Sequence, residues 1–361
     1  MPWAIPQYSR GEVDRAGKVL IGAVTDSPKI SDHDPAAAMW ARLDALRKSY
    51  DVINNWRSSH SYPLQVLTMN LRARVKSVDQ DALIAQRLKR LSSIEAKLKD
   101  KSKMQLSQMQ DIGGCRAVVR DIHCLDALVA KFDRGRHTCW EFHKKFDYVK
   151  NPKQDGYRSV HIVYKYANPT PERAMYSKLR IEVQLRSRLQ HAWATALETV
   201  DAFTRQALKA NRGRPDWARF FVLMGHSIAS REGRNGVPGA PTNRDGLVAE
   251  LKGLCKSLNV IPTLMGWTRA VQFTGETRKG HFYLLKLDFN ERRMNIKAFA
   301  KNASALAAEE YADVEKANID RQDVQIVLVS VDSLDALRAA YPNYYLDTTA
   351  FVEIVKEDIG N

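Results

Sequence analysis

Two stretches of the chain carry residue types that suit phosphate chemistry: Asp147-Tyr-Val-Lys-Asn-Pro-Lys153-Gln-Asp155-Gly156-Tyr157-Arg158-Ser-Val-His161, and, after a short interval, Ile181-Glu182-Val-Gln184-Leu-Arg186. In the second, Ile181, Val183 and Leu185 alternate with Glu182, Gln184 and Arg186, the period of a strand with one apolar and one polar face. Val160, Ile162 and Tyr164 alternate in the same way with His161, Val163 and Lys165, and Asp155-Gly156 reads as the turn before them. A polar face that holds an acid, an amide, cations and an aromatic ring is what a polyphosphate, a flat base and a metal ion require. The plain alternative is an amphipathic hairpin whose polar face meets only solvent.

Upstream, Arg87 and Lys89 share a face if 84–91 is extended, and Ser92 with Glu95 fits the S-x-x-E box that opens a helix, with Lys97 in its first turns. A helix N-terminus surrounded by basic side chains is an anion site. Asp111 stands just before the short apolar run that contains Gly113, Gly114 and Arg116, where its carboxylate can share a cleft with Glu182. Two carboxylates, one Mg²⁺ and several cationic side chains make a phosphoryl-transfer site, in which positioning and charge neutralisation do most of the catalysis.

These motifs, in this order, resemble those of the RelA/SpoT-type nucleotide pyrophosphokinases, the small alarmone synthetases of ppGpp and pppGpp and their toxin or anti-phage branch. The matching patterns are R-x-K…S…K from Arg87 to Lys97, D-I-x-G-x-R from Asp111 to Arg116, D-Y-x-x-x-P-K-x-x-G-Y-R-S-x-H from Asp147 to His161, and E-V-Q-x-R from Glu182 to Arg186. The resemblance implies an α+β fold, a mixed β-sheet flanked by helices of nucleotidyltransferase type. It implies that Arg87 and Arg116 sandwich the adenine of ATP, that Lys89, Ser93 and Lys97 hold its phosphates, and that Asp111 and Glu182 bind Mg²⁺. Asp111, Glu182 and His161 are then the catalytic set, Tyr157 stacks on the acceptor base, and Lys153, Arg158, Gln184, Arg186 and His191 complete the acceptor cleft. The implied reaction moves the β,γ-pyrophosphate of ATP to a ribose 3′-hydroxyl of GTP or GDP and releases AMP. One departure bears on acceptor choice: family members often carry Asn where this chain has Asp155, which replaces an amide with a negative charge.

Composition bounds the rest. The chain has 361 residues, 44% of them hydrophobic, and no apolar run long enough to cross a bilayer, and Met1-Pro-Trp-Ala-Ile-Pro lacks the features of a signal peptide, so a cytoplasmic protein with no membrane partner is expected. Cys115, Cys124, Cys139 and Cys255 form no C-x-x-C pair, so neither disulfides nor structural zinc are expected. A net charge of +15 suits a polyanionic partner, nucleotide or tRNA. The excess is strong at Arg134, Arg136, Lys144, Lys145, Lys150, Lys153 and Arg158, and again at Arg205, Lys209, Arg212, Arg214 and Arg219.

Four units are expected: a helical segment over 1–80 that packs on the synthetase, the synthetase domain over 81–232, a Gly/Pro-rich linker over 233–244, and a smaller C-terminal α+β module over 245–361, a candidate regulator. In the first unit Trp40, Leu43, Leu46, Tyr50 and Ile53 follow helical spacing and read as core. His33-Asp34 has no upstream His to complete a hydrolase metal site and reads as a loop. In the last unit 282–289, 294–299 and 324–331 read as strands and 303–316, 334–341 and 348–354 as helices, with Tyr341-Pro-Asn-Tyr344-Tyr345 as an aromatic turn. Three functions compete: an alarmone synthetase; a toxin that pyrophosphorylates the 3′ end of tRNA, with the C-terminal module binding an antitoxin or a phage protein; and an inactive nucleotide- or RNA-binding regulator. Paired acids in a cationic cleft speak against the third.

Overall fold

The computed structural model describes residues 3–23, 35–135, 138–204, 215–270, 272–275, 280–318, 321, 323–331, 334–340 and 347–360. His33-Asp34, Arg136, Arg205, Lys209, Arg212, Arg214 and the Tyr341–Tyr345 run lie outside the described residues. Three helices come first: α1 (Arg10–Leu20), α2 (Pro35–Ser59) and α3 (Ser61–Lys76). Ser9 and Glu12 close a capping box on α1, each satisfying a backbone N–H of the other. Then follow β1 (Leu83–Leu88), α4 (Leu91–Asp100), β2 (Gly113–Val119), α5 (Ile122–Arg134), β3 (Trp140–Asp147), β4 (Val160–Tyr166), β5 (Arg180–Ser187), α6 (Arg188–Thr204) and α7 (Pro215–Arg231). The remainder is α8 (Arg244–Ser257), α9 (Val260–Ala270), β6 (Gln272–Gly275), β7 (Phe282–Asp288), β8 (Arg293–Phe299), α10 (Ser304–Ala317), β9 (Val324–Ser330), α11 (Leu334–Ala340) and α12 (Thr349–Ile359). This is the expected α+β class with a mixed sheet, and among the described residues no helix is long and apolar enough to cross a membrane.

The strands form one sheet in the order β3-β4-β5-β2-β1-β9-β7-β8-β6. β2 and β5 are parallel, with Gly114 opposite Glu182 and Arg116 opposite Gln184. β1 runs antiparallel to β2, which sets Arg87 opposite Gly114 and Ala85 opposite Arg116. Alternation of side chains across a strand then sends Arg87, Arg116, Glu182, Gln184 and Arg186 to one face. The other face carries Cys115, Ala117, Ile181, Val183 and Leu185 into a core shared with Leu64, Leu67 and Leu71 of α3 and Leu125 and Leu128 of α5.

The Gly/Pro-rich stretch is the loop between α7 and α8, and packing continues across it. Ala196 and Val200 of α6 and Phe220 and Phe221 of α7 share a core with Leu247 and Leu251 of α8 and Phe351 and Val355 of α12. The sheet continues too, because Gln86 and Arg87 of β1 pair with Ser330 and Val329 of β9.

Two local expectations are corrected. Trp40 is 66% exposed and Leu43 48%, with Met39 beside them, so the first half of α2 shows this stripe to solvent; burial begins at Ser49 and includes Ile53 and Trp56. The Ser92/Glu95 box is absent: α4 begins at Leu91, its N-cap Arg90 makes no side-chain cap bond, and Glu95 pairs with Lys99 instead.

Candidate functional site

The polar sheet face is built around two carboxylates. Asp111 lies just ahead of β2, and both its oxygens are held by lysines: Lys89 Nζ donates to Oδ2 at 2.8 Å and Lys97 Nζ to Oδ1 at 2.9 Å. Lys89 directly follows β1, and its N–H donates to the Ile112 carbonyl at 2.7 Å, which extends the strand pairing and aims the side chain at Asp111. Lys97 comes from the second turn of α4, and Ser93, half-buried, precedes it by one turn on the same helix face. Burial alone would raise the Asp111 carboxyl, but the two ammonium groups override it and hold the group well below the usual carboxylate range. Burial also lowers Lys89, against the pull of Asp111.

Glu182 sits on β5 with both oxygens engaged. His161 Nδ1 donates to Oε1 at 2.8 Å and Gln184 Nε2 donates to Oε2 at 2.7 Å. Because a carboxylate only accepts, Nδ1 of His161 carries the proton, and Nε2 faces the hydroxyl of Tyr157 at 2.7 Å. Arg186 Nη2 donates to the same hydroxyl at 2.6 Å. A continuous chain therefore runs Gln184, Glu182, His161, Tyr157, Arg186. Burial opposes charge on the Tyr157 phenol, but Arg186 and then His161 outweigh it and bring it down to about 7. Burial likewise opposes charge on His161, but Tyr157 and Glu182 raise it to about 9. Glu182 is lowered: burial resists this, His161 drives it, and the nearby charge of Asp111 works against it, which places the two acids in one electrostatic neighbourhood.

The turn before β4 explains how Tyr157 reaches this chain. Gly156 has φ +87°, and a Cβ there would come within 2.9 Å of the Phe221 carbonyl of α7, so only glycine lets that helix pass so close. Asp155 accepts the Tyr157 N–H at 2.9 Å, a bond that the side-chain oxygen of Asn would make equally well. The acid at this position thus has a local backbone role. Around the ring, Lys153 Nζ lies 4.9 Å from the Tyr157 centroid and 4.6 Å from that of Tyr148, while Arg186 Cζ lies 5.2 Å from that of Tyr157. Tyr148 is a member of this aromatic group that strand alternation did not single out, although its place beside Asp147 in the motif was a signal.

Arg87, Lys89, Asp111, Gly114, Arg116, Glu182 and Gln184 line one cleft of about 40 Å³, room for an ion or a water and far below a nucleotide. Two predicted acceptor residues lie elsewhere. Arg158 is 2% exposed, and its guanidinium donates to the carbonyls of Val149, at 3.1 Å, and Asn235, so it holds loops together instead of facing a ligand. His191 is buried on α6, where burial and then Arg116 and Arg186 depress it to about 3, and it lines a separate cavity of about 590 Å³ between α6, α11 and α12. A cavity of about 370 Å³ that also touches Arg87 contains neither carboxylate.

Among the described residues no group of three or more His, Cys, Asp or Glu could hold a metal ion. The donor set nevertheless fits Mg²⁺, a hard cation that takes one or two carboxylates and completes its shell with phosphate oxygens and water. Asp111 and Glu182 are hard oxygen donors in one cleft, and each of their oxygens keeps a lone pair beyond the one hydrogen bond it accepts from Lys89, Lys97, His161 or Gln184.

A mixed sheet with two acids and two lysines brought to one face is an arrangement that suits phosphoryl transfer. Residues 86–201 match the family described as a region found in RelA / SpoT proteins. The matched region holds Asp111, Glu182 and the strands β2 to β5. Similar solved structures include small alarmone synthetase 1 from Bacillus subtilis bound to its product pppGpp, at 23% identity and TM-score 0.37 over 47% of this chain and 88% of that one. A GTP pyrophosphokinase family protein from Streptococcus pneumoniae is similar at 20% identity and TM-score 0.38, over 47% of this chain and 83% of its own. Small alarmone synthetase 2 from Bacillus subtilis is similar at 21% identity and TM-score 0.38, over 48% and 91%. No curated protein matches the chain.

Proposed function

We propose that the protein transfers the β,γ-pyrophosphate of ATP to the ribose 3′-hydroxyl of GTP or GDP. The observation that carries this reading is the meeting of the Lys89–Asp111–Lys97 clamp and the Glu182–His161–Tyr157–Arg186 chain on one sheet face. In the transfer, a bond forms between the acceptor O3′ and the β-phosphorus while the bond from that phosphorus to the oxygen bridging the α-phosphorus breaks, and AMP leaves. Lys89 and Lys97 neutralise phosphate oxygens, Arg87 and Arg116 grip the adenine, and Lys153 with the Tyr157 ring receives the acceptor base. The hydroxyl proton passes into the Tyr157–His161–Glu182 chain, in which the Tyr157 phenol is brought down to about 7. Asp111 and Glu182 would hold Mg²⁺, which supplies charge neutralisation for the pyrophosphate when bound.

The 40 Å³ cleft must open before a nucleotide enters, and α11 packs beside it through Leu337 and Ala340 against Ala85 of β1. Residues 245–361 are therefore well placed to regulate the site. The net charge of +15 favours a second reading, in which the acceptor hydroxyl is the 3′ end of tRNA. Purified protein given ATP labelled in its β,γ-pyrophosphate, Mg²⁺ and either GTP, GDP or deacylated tRNA tests both. Label on the guanine nucleotide is expected, label on tRNA alone would move the protein to the toxin reading, and label on neither would leave a nucleotide- or RNA-binding regulator.

A further inference from the structure

α4, the helix that carries Lys97, has no cap of its own, and its first N–H is bonded from across the molecule. Leu91 N donates to Glu315 Oε1 of α10 at 2.7 Å, over a separation of 224 residues. The second oxygen of Glu315 pairs with Arg57 Nη1 of α2 at 2.6 Å, and Tyr311 Oη donates to Oε1 at 3.1 Å while its ring lies 4.9 Å below the Arg57 guanidinium. Arg57 is 2% exposed, and the Glu315 side chain only 12%. A buried ion pair repays its desolvation poorly and is a costly way to hold a fold together, so what this one positions matters more than the pairing itself. It positions the start of α4: Leu91 stands two residues after Lys89 and six before Lys97, the two cations that grip Asp111.

We propose that Glu315 is a positioning residue for the phosphate-binding end of the nucleotide site. By accepting the Leu91 N–H and anchoring to Arg57, it fixes the N-terminus of α4, and with it the separation of Lys89 and Lys97 across Asp111. A carboxylate at a helix N-terminus also stabilises the helix dipole. The C-terminal part of the chain thereby contributes to the ATP site through a buried contact, without a side chain in the cleft. This rests on the reading of Lys89 and Lys97 as phosphate ligands.

Glu315→Ala and Glu315→Gln separate this role from simple stability. Both lose the charge that balances Arg57, so both should melt lower than the parent. Only the alanine variant loses the acceptor for Leu91 N–H, since the glutamine carbonyl retains it. Two readouts serve in the full-length protein: KM for ATP and for GDP in the transfer reaction, and the Kd for a non-hydrolysable ATP analogue by calorimetry. The expected result is a rise of about tenfold in both ATP constants for Glu315→Ala, the scale of a lost helix cap, with the GDP constant within about twofold and Glu315→Gln close to the parent. The proposal is overturned if Glu315→Ala binds the analogue as the parent does, or if Glu315→Gln is as weak as Glu315→Ala, as a merely structural role would give. A parent protein that binds the analogue but transfers no pyrophosphate would remove the proposed reaction, and the analogue constants would still decide the role of Glu315.

Discussion

The Tyr157 hydroxyl offers the sharpest test of the site. It receives a hydrogen bond from Arg186 at 2.6 Å and meets His161 Nε2 at 2.7 Å, and Arg186 is itself buried. A phenol that falls from 10.0 to about 7 has gained on the order of 4 kcal/mol in favour of its ionised form. The signature is optical, because tyrosinate absorbs near 295 nm while the phenol does not. Burial pushes Tyr148, Tyr164, Tyr166 and Tyr176 upward, away from the range in which Tyr157 ionises. A titration from pH 5 to 9 should show about one tyrosine ionising with a midpoint near 7, and Tyr157→Phe should remove it. The sign of the linkage follows from the two shifts: the phenolate is lost as pH falls through about 7 and the imidazolium as pH rises through about 9, so the pair is charged between those values. The melting difference between the parent and Tyr157→Phe should therefore be largest in that window and shrink on both sides. Loss of a hydrogen bond to a charged group is worth about 1.5–3 kcal/mol, so Tyr157→Phe should slow transfer about tenfold or more although the ring remains. Absence of any tyrosinate signal below about pH 9 would refute the reasoning.

Asp111→Asn and Glu182→Gln keep shape and remove charge, so each should stay folded by circular dichroism yet lose transfer by about a thousandfold, the scale of several kcal/mol of lost charge stabilisation; near-normal turnover in both would end the metal assignment. Phe351 of α12 is buried with ring centroids 6.1 Å from Phe220 and 5.8 Å from Phe221, so Phe351→Ala should cost about 3–5 kcal/mol in denaturant unfolding. Deleting residues 245–361 removes the α8 and α12 side of that core together with β9, so the remaining fragment should aggregate on expression; a soluble, two-state truncation would instead establish residues 1–244 as independent.

Much of this was readable from local pattern. Ile181, Val183 and Leu185 alternate with Glu182, Gln184 and Arg186, and the period of a strand alone dictates that the second set shares a face. The strands and helices beyond residue 280 follow their apolar periods to within a residue or two for the same reason, since each buries one side on its neighbours, except that the last helix runs on from 354 to Ile359. Distant contacts have no such signature. Asp111 shares a cleft with Glu182 only because β2 and β5 lie parallel in a register that sets Gly114 opposite Glu182. Glu315 looks like any acid on an amphipathic helix until α10 lies against α2 and the start of α4. Arg158 occupies a motif position that suggested a ligand, and Trp40 and Leu43 occupy a helical stripe that suggested a core. In both cases the decision rests on what else fills the space: two loop carbonyls reach the guanidinium, and among the described residues nothing covers Trp40 and Leu43. Periodicity is a property of the chain with itself, whereas burial, pairing and the protonation of Tyr157 depend on which remote groups arrive within a few ångströms.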